Sequence, residues 1–122
     1  MGQINVLIAD NSNEFTKLLS EFLSLKSDIK VVGIAQDGAE TLEMLDKTNP
    51  DVLLLDIIMP HTDGLEVLQR LSAMTIKPYV FIMSALSSDD IKNQVLNAGA
   101  DEYFVKPLNM ESLLSKIRKA KK

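Results

Sequence analysis

The sequence Val-Leu-Leu-Leu-Asp at positions 52–56 is a short apolar run that ends abruptly in a carboxylate. Consecutive aliphatic residues without polar alternation are typical of a strand that is covered on both faces, as in a parallel sheet. Short apolar runs, rich in β-branched or aromatic residues, also occur at residues 4–9, 29–35, 79–83 and 103–105. We therefore expect five strands, several of them buried on both faces.

Helical patterns lie between these runs, because apolar residues recur there at helical spacing. The positions that indicate the five helices are Phe15, Leu18, Leu19, Phe22 and Leu23; Leu42 and Leu45; Leu65, Leu68 and Leu71; Ile91, Val95 and Ala98; and Leu113, Leu114 and Ile117. Asp37 with Glu40, and Asp63 with Glu66, have the spacing of a capping box, and Asn109 is placed to cap the last helix. Strands and helices in alternation predict a doubly wound α/β fold with right-handed crossovers.

The composition of the chain indicates one globular domain of 122 residues, with 46% hydrophobic and 25% charged residues. A net charge of −4 argues against nucleic-acid binding by this domain alone. The absence of cysteine excludes disulfides and zinc–thiolate sites. No apolar run approaches the about 20 residues that cross a bilayer, and the start lacks a signal-peptide pattern, so we expect a cytoplasmic location.

Polar residues follow four of the five predicted strands, at the edge where ligands bind in doubly wound sheets. They are Asp10 and Asn11 after the first strand, Asp56 after the third, Ser84 after the fourth and Lys106 after the fifth. Clustered carboxylates repel one another, so a cation is expected among them, and oxygen ligands suit a hard ion such as Mg²⁺. A carboxylate in such a place can act as a nucleophile toward phosphorus and form an aspartyl phosphate.

Each of these residues also has a plainer interpretation. An aspartate after a strand is commonly a turn former or a helix cap, a single serine usually bonds to backbone, and a single lysine is usually solvated. His61, the only histidine, is by itself interpreted as an exposed loop residue. The joint occurrence of suitable groups at four strand ends is what favours a functional site.

The chain resembles the receiver domains of bacterial response regulators over essentially its whole length. The residues that carry the resemblance are Ile8-Ala9-Asp10, the Leu-Leu-Leu-Asp run that ends at Asp56, Met59-Pro60, Asp63-Gly64, Ser84-Ala85, Ala98-Gly99-Ala100 and Lys106-Pro107. The chain is in addition similar to the receivers of the master regulators of sporulation in spore-forming Firmicutes. This similarity is found in the segment 56–65, in the opening segment and in residues 49–53.

The resemblance implies a flavodoxin-like fold, in which five parallel strands have the order 2-1-3-4-5. It implies that residues 1–122 form one receiver domain, and that a C-terminal DNA-binding effector domain follows in the full-length protein. It further implies that the bond between Lys106 and Pro107 is cis.

The resemblance also implies a role for each site residue. Asp56 would be the phosphoacceptor, and Lys106 and Ser84 would contact the phosphoryl group. Tyr103 would be the aromatic switch residue that changes rotamer when Ser84 moves.

A divalent cation, Mg²⁺ or another such as Ca²⁺, would be held by Asp10, Asn11, Asp56 and the backbone carbonyl of Ile58. Asn11 departs from the family, which usually has a second acid at that position. An asparagine keeps a carbonyl oxygen but loses the charge, so weaker ion binding is expected.

The leading hypothesis is a signalling switch and not an enzyme, although the chain would assist its own phosphorylation and dephosphorylation. A histidine kinase or phosphotransfer protein would phosphorylate Asp56, and the face carrying strand 5 and the neighbouring helices would repack. In the sporulation family, whose members are transcription regulators, this change controls homodimerisation and the DNA-binding domain that is attached to the receiver.

Two alternatives remain open at this point. A pseudo-receiver would use the same fold for binding without phosphate, and Asn11 is the residue that favours it. A small flavodoxin-like enzyme is the third hypothesis, but residues 10–13, Asp-Asn-Ser-Asn, replace the Gly-rich loop that nucleotide or flavin binding would require.

Overall fold

The computed structural model describes residues 2–57, 64–75 and 77–120. Its five strands are β1 (Ile4–Ala9), β2 (Ile29–Ala35), β3 (Val52–Asp56), β4 (Tyr79–Ser84) and β5 (Glu102–Val105). All strand pairs are parallel, and the order across the sheet is β2-β1-β3-β4-β5. The helices that alternate with them are α1 (Asn13–Ser24), α2 (Gly38–Thr48), α3 (Gly64–Leu71), α4 (Asp89–Asn97) and α5 (Met110–Ala120). The predicted fold class and strand order are confirmed.

The central strand β3 is buried along its whole length, because helices cover both faces of the sheet. Leu53 and Leu55 point into a core shared with α2, α3 and α4. Leu54 points into the opposite core, where it packs with residues of α1 and α5. An apolar run without alternation is the pattern that burial on both faces requires.

The helices begin at polar caps that were partly predicted. The Asp37 carboxylate accepts a hydrogen bond from the Glu40 backbone N–H at 2.8 Å. Glu40 accepts at 2.7 Å from the N–H of Gln36, one residue before the cap, which differs from a standard capping box. The Asn109 side chain accepts from the Ser112 N–H at 3.0 Å and caps α5 as predicted. The capping box proposed for Asp63 lies outside the described residues.

The apolar stripe predicted for α1 is wider than the face that the helix buries. Leu19 and Leu23 are fully buried, whereas the Leu18 side chain is 63% exposed. At the end of α4, Ala98 is the C-cap residue and lies outside the helix. Three strands are one residue longer than predicted: β3 and β4 end at Asp56 and Ser84, and β5 begins at Glu102. No helix in the described part of the chain is long and apolar enough to cross a membrane.

Candidate functional site

Three charged side chains from three different strand ends meet at the carboxyl edge of the sheet, the end at which the strands finish. The Lys106 Nζ lies 2.6 Å from Oδ2 of Asp10 and 3.6 Å from Oδ2 of Asp56. These residues follow β5, follow β1 and end β3, respectively. The strand order explains the meeting, because β1 and β3 are neighbours in the sheet. One ammonium thus lies against two carboxylates.

Asp10 is almost completely buried, with 1% of its surface exposed, and both of its side-chain oxygens accept hydrogen bonds. Oδ2 accepts from Lys106, and Oδ1 accepts from the backbone N–H of Ser12 at 2.9 Å. Burying a carboxylate is costly unless it is paired and hydrogen-bonded, and these two bonds supply that compensation.

Asp56 ends the buried strand β3, and its side chain is 12% exposed, compared with 1% for that of Asp10. The start of α3 lies against the backbone of this strand end, where the Gly64 N–H donates to the Ile57 carbonyl at 2.7 Å. A Cβ at Gly64 would lie 2.6 Å from the Asp56 carbonyl oxygen. Glycine therefore permits the close approach of α3 to the end of β3.

Ser84 and Tyr103 are connected through one residue of the loop between β4 and α4. The buried Ser84 Oγ accepts from the Leu86 N–H at 3.0 Å, and the Tyr103 hydroxyl donates to the Leu86 carbonyl at 2.6 Å. The Lys106 N–H donates to the Ser84 carbonyl at 2.7 Å, so this residue also borders the charged cluster. The bond between Lys106 and Pro107 is cis, as the resemblance implies.

The oxygen donors at this edge suit a hard divalent cation. With Asn11 in place of a second acid after Asp10, they carry one negative charge fewer than the usual set in the family. Asp10 and Asp56 supply carboxylates, and the exposed Asn11 follows Asp10 with an amide oxygen. Over the described ranges, no three acidic, histidine or cysteine side chains form a group that could hold a metal ion. The predicted ligand at Ile58 and the loop residue His61 lie outside those ranges. Among the described residues, the ligands available to an ion are therefore Asp10, Asp56 and the amide oxygen of Asn11, with water to complete the coordination.

Phe15 is a member of this site that the sequence interpretation assigned only to the apolar stripe of α1. Its ring centroid lies 4.3 Å from the Lys106 Nζ. Aromatic faces attract cations at this distance. The residue stands in the first turn of α1, directly after the loop that carries Asp10, and only this proximity to a site loop in the sequence could have indicated it.

Comparison with known proteins gives consistent similarities. The family model described as "Response regulator receiver domain" matches residues 6–118. The response regulator domain of Thermotoga maritima CheB is 32% identical with a TM-score of 0.89, and the match covers 97% of this chain and 96% of that one. The receiver domain of Francisella response regulator 1452 is 29% identical with a TM-score of 0.89, over 97% and 96% of the two chains. The BeF3-activated receiver domain of Klebsiella pneumoniae RstA is 25% identical with a TM-score of 0.87, over 95% and 97%.

Proposed function

This chain belongs to the response regulator receiver domains, modules of phosphorylation-dependent signalling, and from this premise we propose that Asp56 is its phosphoacceptor. The observation that carries the proposal is the position of Lys106, whose ammonium lies between the carboxylates of Asp10 and Asp56. Asp10 is buried with both oxygens hydrogen-bonded, whereas the Asp56 side chain is the more exposed of the two. Asp56 is therefore the carboxylate that a phosphodonor can reach.

The chemical step is an in-line phosphoryl transfer. An Asp56 oxygen attacks the phosphorus of a phosphohistidine or a small acyl phosphate. A new oxygen–phosphorus bond forms while the bond from phosphorus to the leaving group breaks, and the leaving group keeps the electron pair. The Lys106 ammonium, already 3.6 Å from Asp56, is placed to stabilise the negative charge on the transferred group.

We propose that Asp10, Asp56 and the amide oxygen of Asn11, together with the Ile58 carbonyl, hold a divalent cation, Mg²⁺ or Ca²⁺. When bound, such an ion neutralises charge on the phosphoryl oxygens. The departure at Asn11 lowers the charge of the ligand set, which should weaken the ion without abolishing its binding.

We propose that Ser84 and Tyr103 transmit the phosphorylated state. The Ser84 hydroxyl is bonded to the Leu86 amide, and Tyr103 holds the carbonyl of the same residue. A phosphoryl group that attracted Ser84 would pull on the loop at Leu86 and thereby disturb the Tyr103 bond. This arrangement of the loop and the one that phosphorylation would produce would be the two states of the switch.

Receiver domains interact with histidine kinases or phosphotransfer proteins, and one of these would donate the phosphate here. We propose that the protein acts in the cytoplasm, that phosphorylation promotes a homodimer, and that residues 1–122 regulate a C-terminal DNA-binding domain. The segment 56–65 and its resemblance to sporulation regulators favour a role in the transcriptional control of sporulation.

A second candidate is the pseudo-receiver, in which the fold binds a partner without phosphate. Two observations favour it: Asn11 replaces an acid, and the Asp10–Lys106 pair already neutralises one carboxylate. The two functions differ in whether Asp56 reacts.

The decisive experiment is incubation with acetyl phosphate and Mg²⁺, followed by intact mass measurement. We expect one added phosphoryl group in the wild-type protein and none in Asp56→Asn. Asp101→Asn is the matched control, because it removes the same charge at the opposite edge of the sheet and should still accept phosphate. Absence of an adduct at every Mg²⁺ concentration would contradict phosphorylation by small acyl phosphates and favour the pseudo-receiver.

A further inference from the structure

The Lys106 ammonium is in contact on three sides, and only two of these contacts are with acids. Asp10 accepts its hydrogen bond at 2.6 Å, Asp56 lies at 3.6 Å, and the face of the Phe15 ring lies at 4.3 Å. The Lys106 side chain is 21% exposed, which is low for a residue with a long and flexible stem. The ring thus forms one wall of the place where the ammonium rests.

An aromatic ring holds a cation in a different manner from a carboxylate. Its negative face attracts the ammonium electrostatically but offers no strong lone pair that would compete for the N–H groups. The contact with Phe15 can therefore hold Lys106 near Asp56 while leaving its donors available to a phosphoryl oxygen. A third carboxylate in this position would instead compete with that oxygen for the ammonium.

The position of the Phe15 ring depends on the same short segment that positions Asp10. The Ser12 N–H donates to Asp10, and the Ser12 hydroxyl accepts from the Phe15 N–H at 3.3 Å as the N-cap of α1. One capped turn therefore orients both the acid and the ring toward Lys106. The side chain of Phe15 also packs against the core between the sheet and the helices α1 and α5, which limits its movement.

We propose that Phe15 is a positioning residue for phosphoryl transfer, which acts by holding the Lys106 ammonium beside Asp56. The inference rests on the proposed function, because it concerns the rate at which Asp56 accepts phosphate. Phe15 takes no part in bond making: the oxygen–phosphorus bond forms at Asp56, and the donor's leaving group keeps the electron pair. Its contribution is to keep Lys106 where the charge of the transferred group develops.

The chain offers a matched control on the same helix. Lys26 Nζ lies 4.9 Å from the ring centroid of Phe22, which forms a second cation–aromatic pair at the far end of α1. Like Phe15, Phe22 is partly buried and packs against the same core. Phe22→Leu therefore removes a comparable ring and a comparable contact with a lysine, but away from the site.

The test measures the phosphorylation rate over a range of acetyl phosphate concentrations at saturating Mg²⁺. We expect Phe15→Leu to lower the saturating rate about two- to fivefold, the factor that an exposed to partly exposed cation–π contact supplies. The donor concentration at half-saturation should stay unchanged, because Phe15 does not contact the donor. Phe15→Tyr should restore the rate, since it keeps the ring, and Phe22→Leu should behave as wild type.

A second measurement reads the contact without any phosphate. The ε-CH₂ proton resonances of Lys106, assigned by their loss in Lys106→Met, should be displaced upfield by the ring current of Phe15. The displacement should disappear in Phe15→Leu and persist in Phe15→Tyr and Phe22→Leu.

The outcomes separate the inference from the proposed function. A wild-type protein that never gains a phosphoryl group contradicts the proposed function and, with it, any role in transfer. If the wild type reacts but Phe15→Leu reacts equally fast, the positioning role alone is wrong. Equal slowing of Phe15→Leu and Phe22→Leu would likewise overturn it, because both changes would then act through general loss of packing.

Discussion

The two edges of the sheet use aspartate for different purposes. At the amino edge, where the strands begin, Asp51 and Asp101 each form a reciprocal pair of bonds with the neighbouring strand. The Asp51 N–H donates to the Asn5 carbonyl, and its carboxylate accepts from the Asn5 N–H, both at 2.8 Å. Asp101 makes the same two bonds with Val80, again at 2.8 Å. These acids extend the hydrogen bonding of the sheet by one residue.

At the carboxyl edge, Asp10 and Asp56 lie against the ammonium of Lys106, and Asp10 also accepts a hydrogen bond from the Ser12 N–H. Asp51 and Asp101 have a structural role, because each accepts a hydrogen bond from a backbone amide of the neighbouring strand that would otherwise lack a partner. An acid that shares an ammonium with a second acid creates a site whose charge balance a ligand can change. The partner of an aspartate, more than its position at a strand end, therefore indicates its role.

The largest effect should follow from Lys106→Met, which removes the shared ammonium but keeps an unbranched chain of similar length. We expect the rate of phosphorylation by acetyl phosphate to fall about 100-fold, as happens when a single group that stabilises developing charge is removed. Intact mass measured over time reads the rate. Lys116→Met is the control, because Lys116 pairs with Glu102 on the outside of α5 and should leave the rate unchanged. Similar losses of rate in both variants would contradict the proposal that Lys106 stabilises the charge on the transferred phosphoryl group.

The amino edge should give the reverse result. Asp101→Ala removes the acceptor for the buried Val80 amide, and we expect the free energy of unfolding to fall by about 1–2 kcal/mol. Urea unfolding measures the loss, and Asp101→Asn, which keeps a side-chain oxygen, should recover part of it. The phosphorylation rate at Asp56 should not change in either variant. A slower rate would mean that the two edges are coupled, and it would contradict the separate roles assigned here to their aspartates.

The difference between the edges also explains what the sequence could predict. The apolar runs, the helix periodicity and the cap at Asn109 are local signals, and the predicted strands agree with the structure to within one residue at their ends. The strand order places Asp10, Asp56 and Lys106 at the same edge of the sheet. This order could be predicted from the alternation of strands and helices together with the family resemblance.

Contacts between side chains that are distant in the chain could not be predicted in this way. The ring of Phe15 over Lys106 looks in the sequence like any core position of an amphipathic helix. The exposure of Leu18 could not be predicted either, because the width of the face that α1 buries is decided by how it packs on the sheet. Asp51 and Asp101 carry no sequence signal beyond standing just before a strand.

A smaller effect should follow from Asn11→Asp, which adds an acid to the carboxyl edge. The exposed position permits a charged side chain, and a second carboxylate next to Asp10 should tighten Mg²⁺ binding several-fold. Isothermal titration calorimetry measures the affinity without phosphate. Asn13→Asp is the control for the added charge alone, because Asn13 is the first residue of α1 and is not a proposed ligand of the ion. Equal tightening in both variants would show that Asn11 acts through the general field and is not a ligand.

The smallest effect concerns Asp28 and Arg118, which join the turn before β2 to the end of α5. Arg118 donates two hydrogen bonds to the carboxylate, at 2.8 and 3.1 Å, and this bonding holds the pKa of Asp28 below its ordinary value of 3.8. Because the folded-state pKa is lowered, the pair stabilises the fold above the unfolded-state pKa, and this contribution is lost as the pH falls through the folded-state pKa. Both side chains are exposed, so salt should weaken the effect.

The measurement is urea unfolding of the wild type and Arg118→Gln at a series of pH values. The wild type should be slightly more stable at neutral pH, and the difference should shrink as the pH falls from the ordinary value of 3.8 through the lower folded-state pKa of Asp28. Lys116→Gln removes the same charge from the same helix and controls for net charge. A difference that stays constant down to low pH would mean that Arg118 stabilises α5 through its packing. In that case, the Asp28–Arg118 ion pair itself would contribute nothing measurable to stability, unlike the bonds that Asp51 and Asp101 make to the backbone of the neighbouring strands.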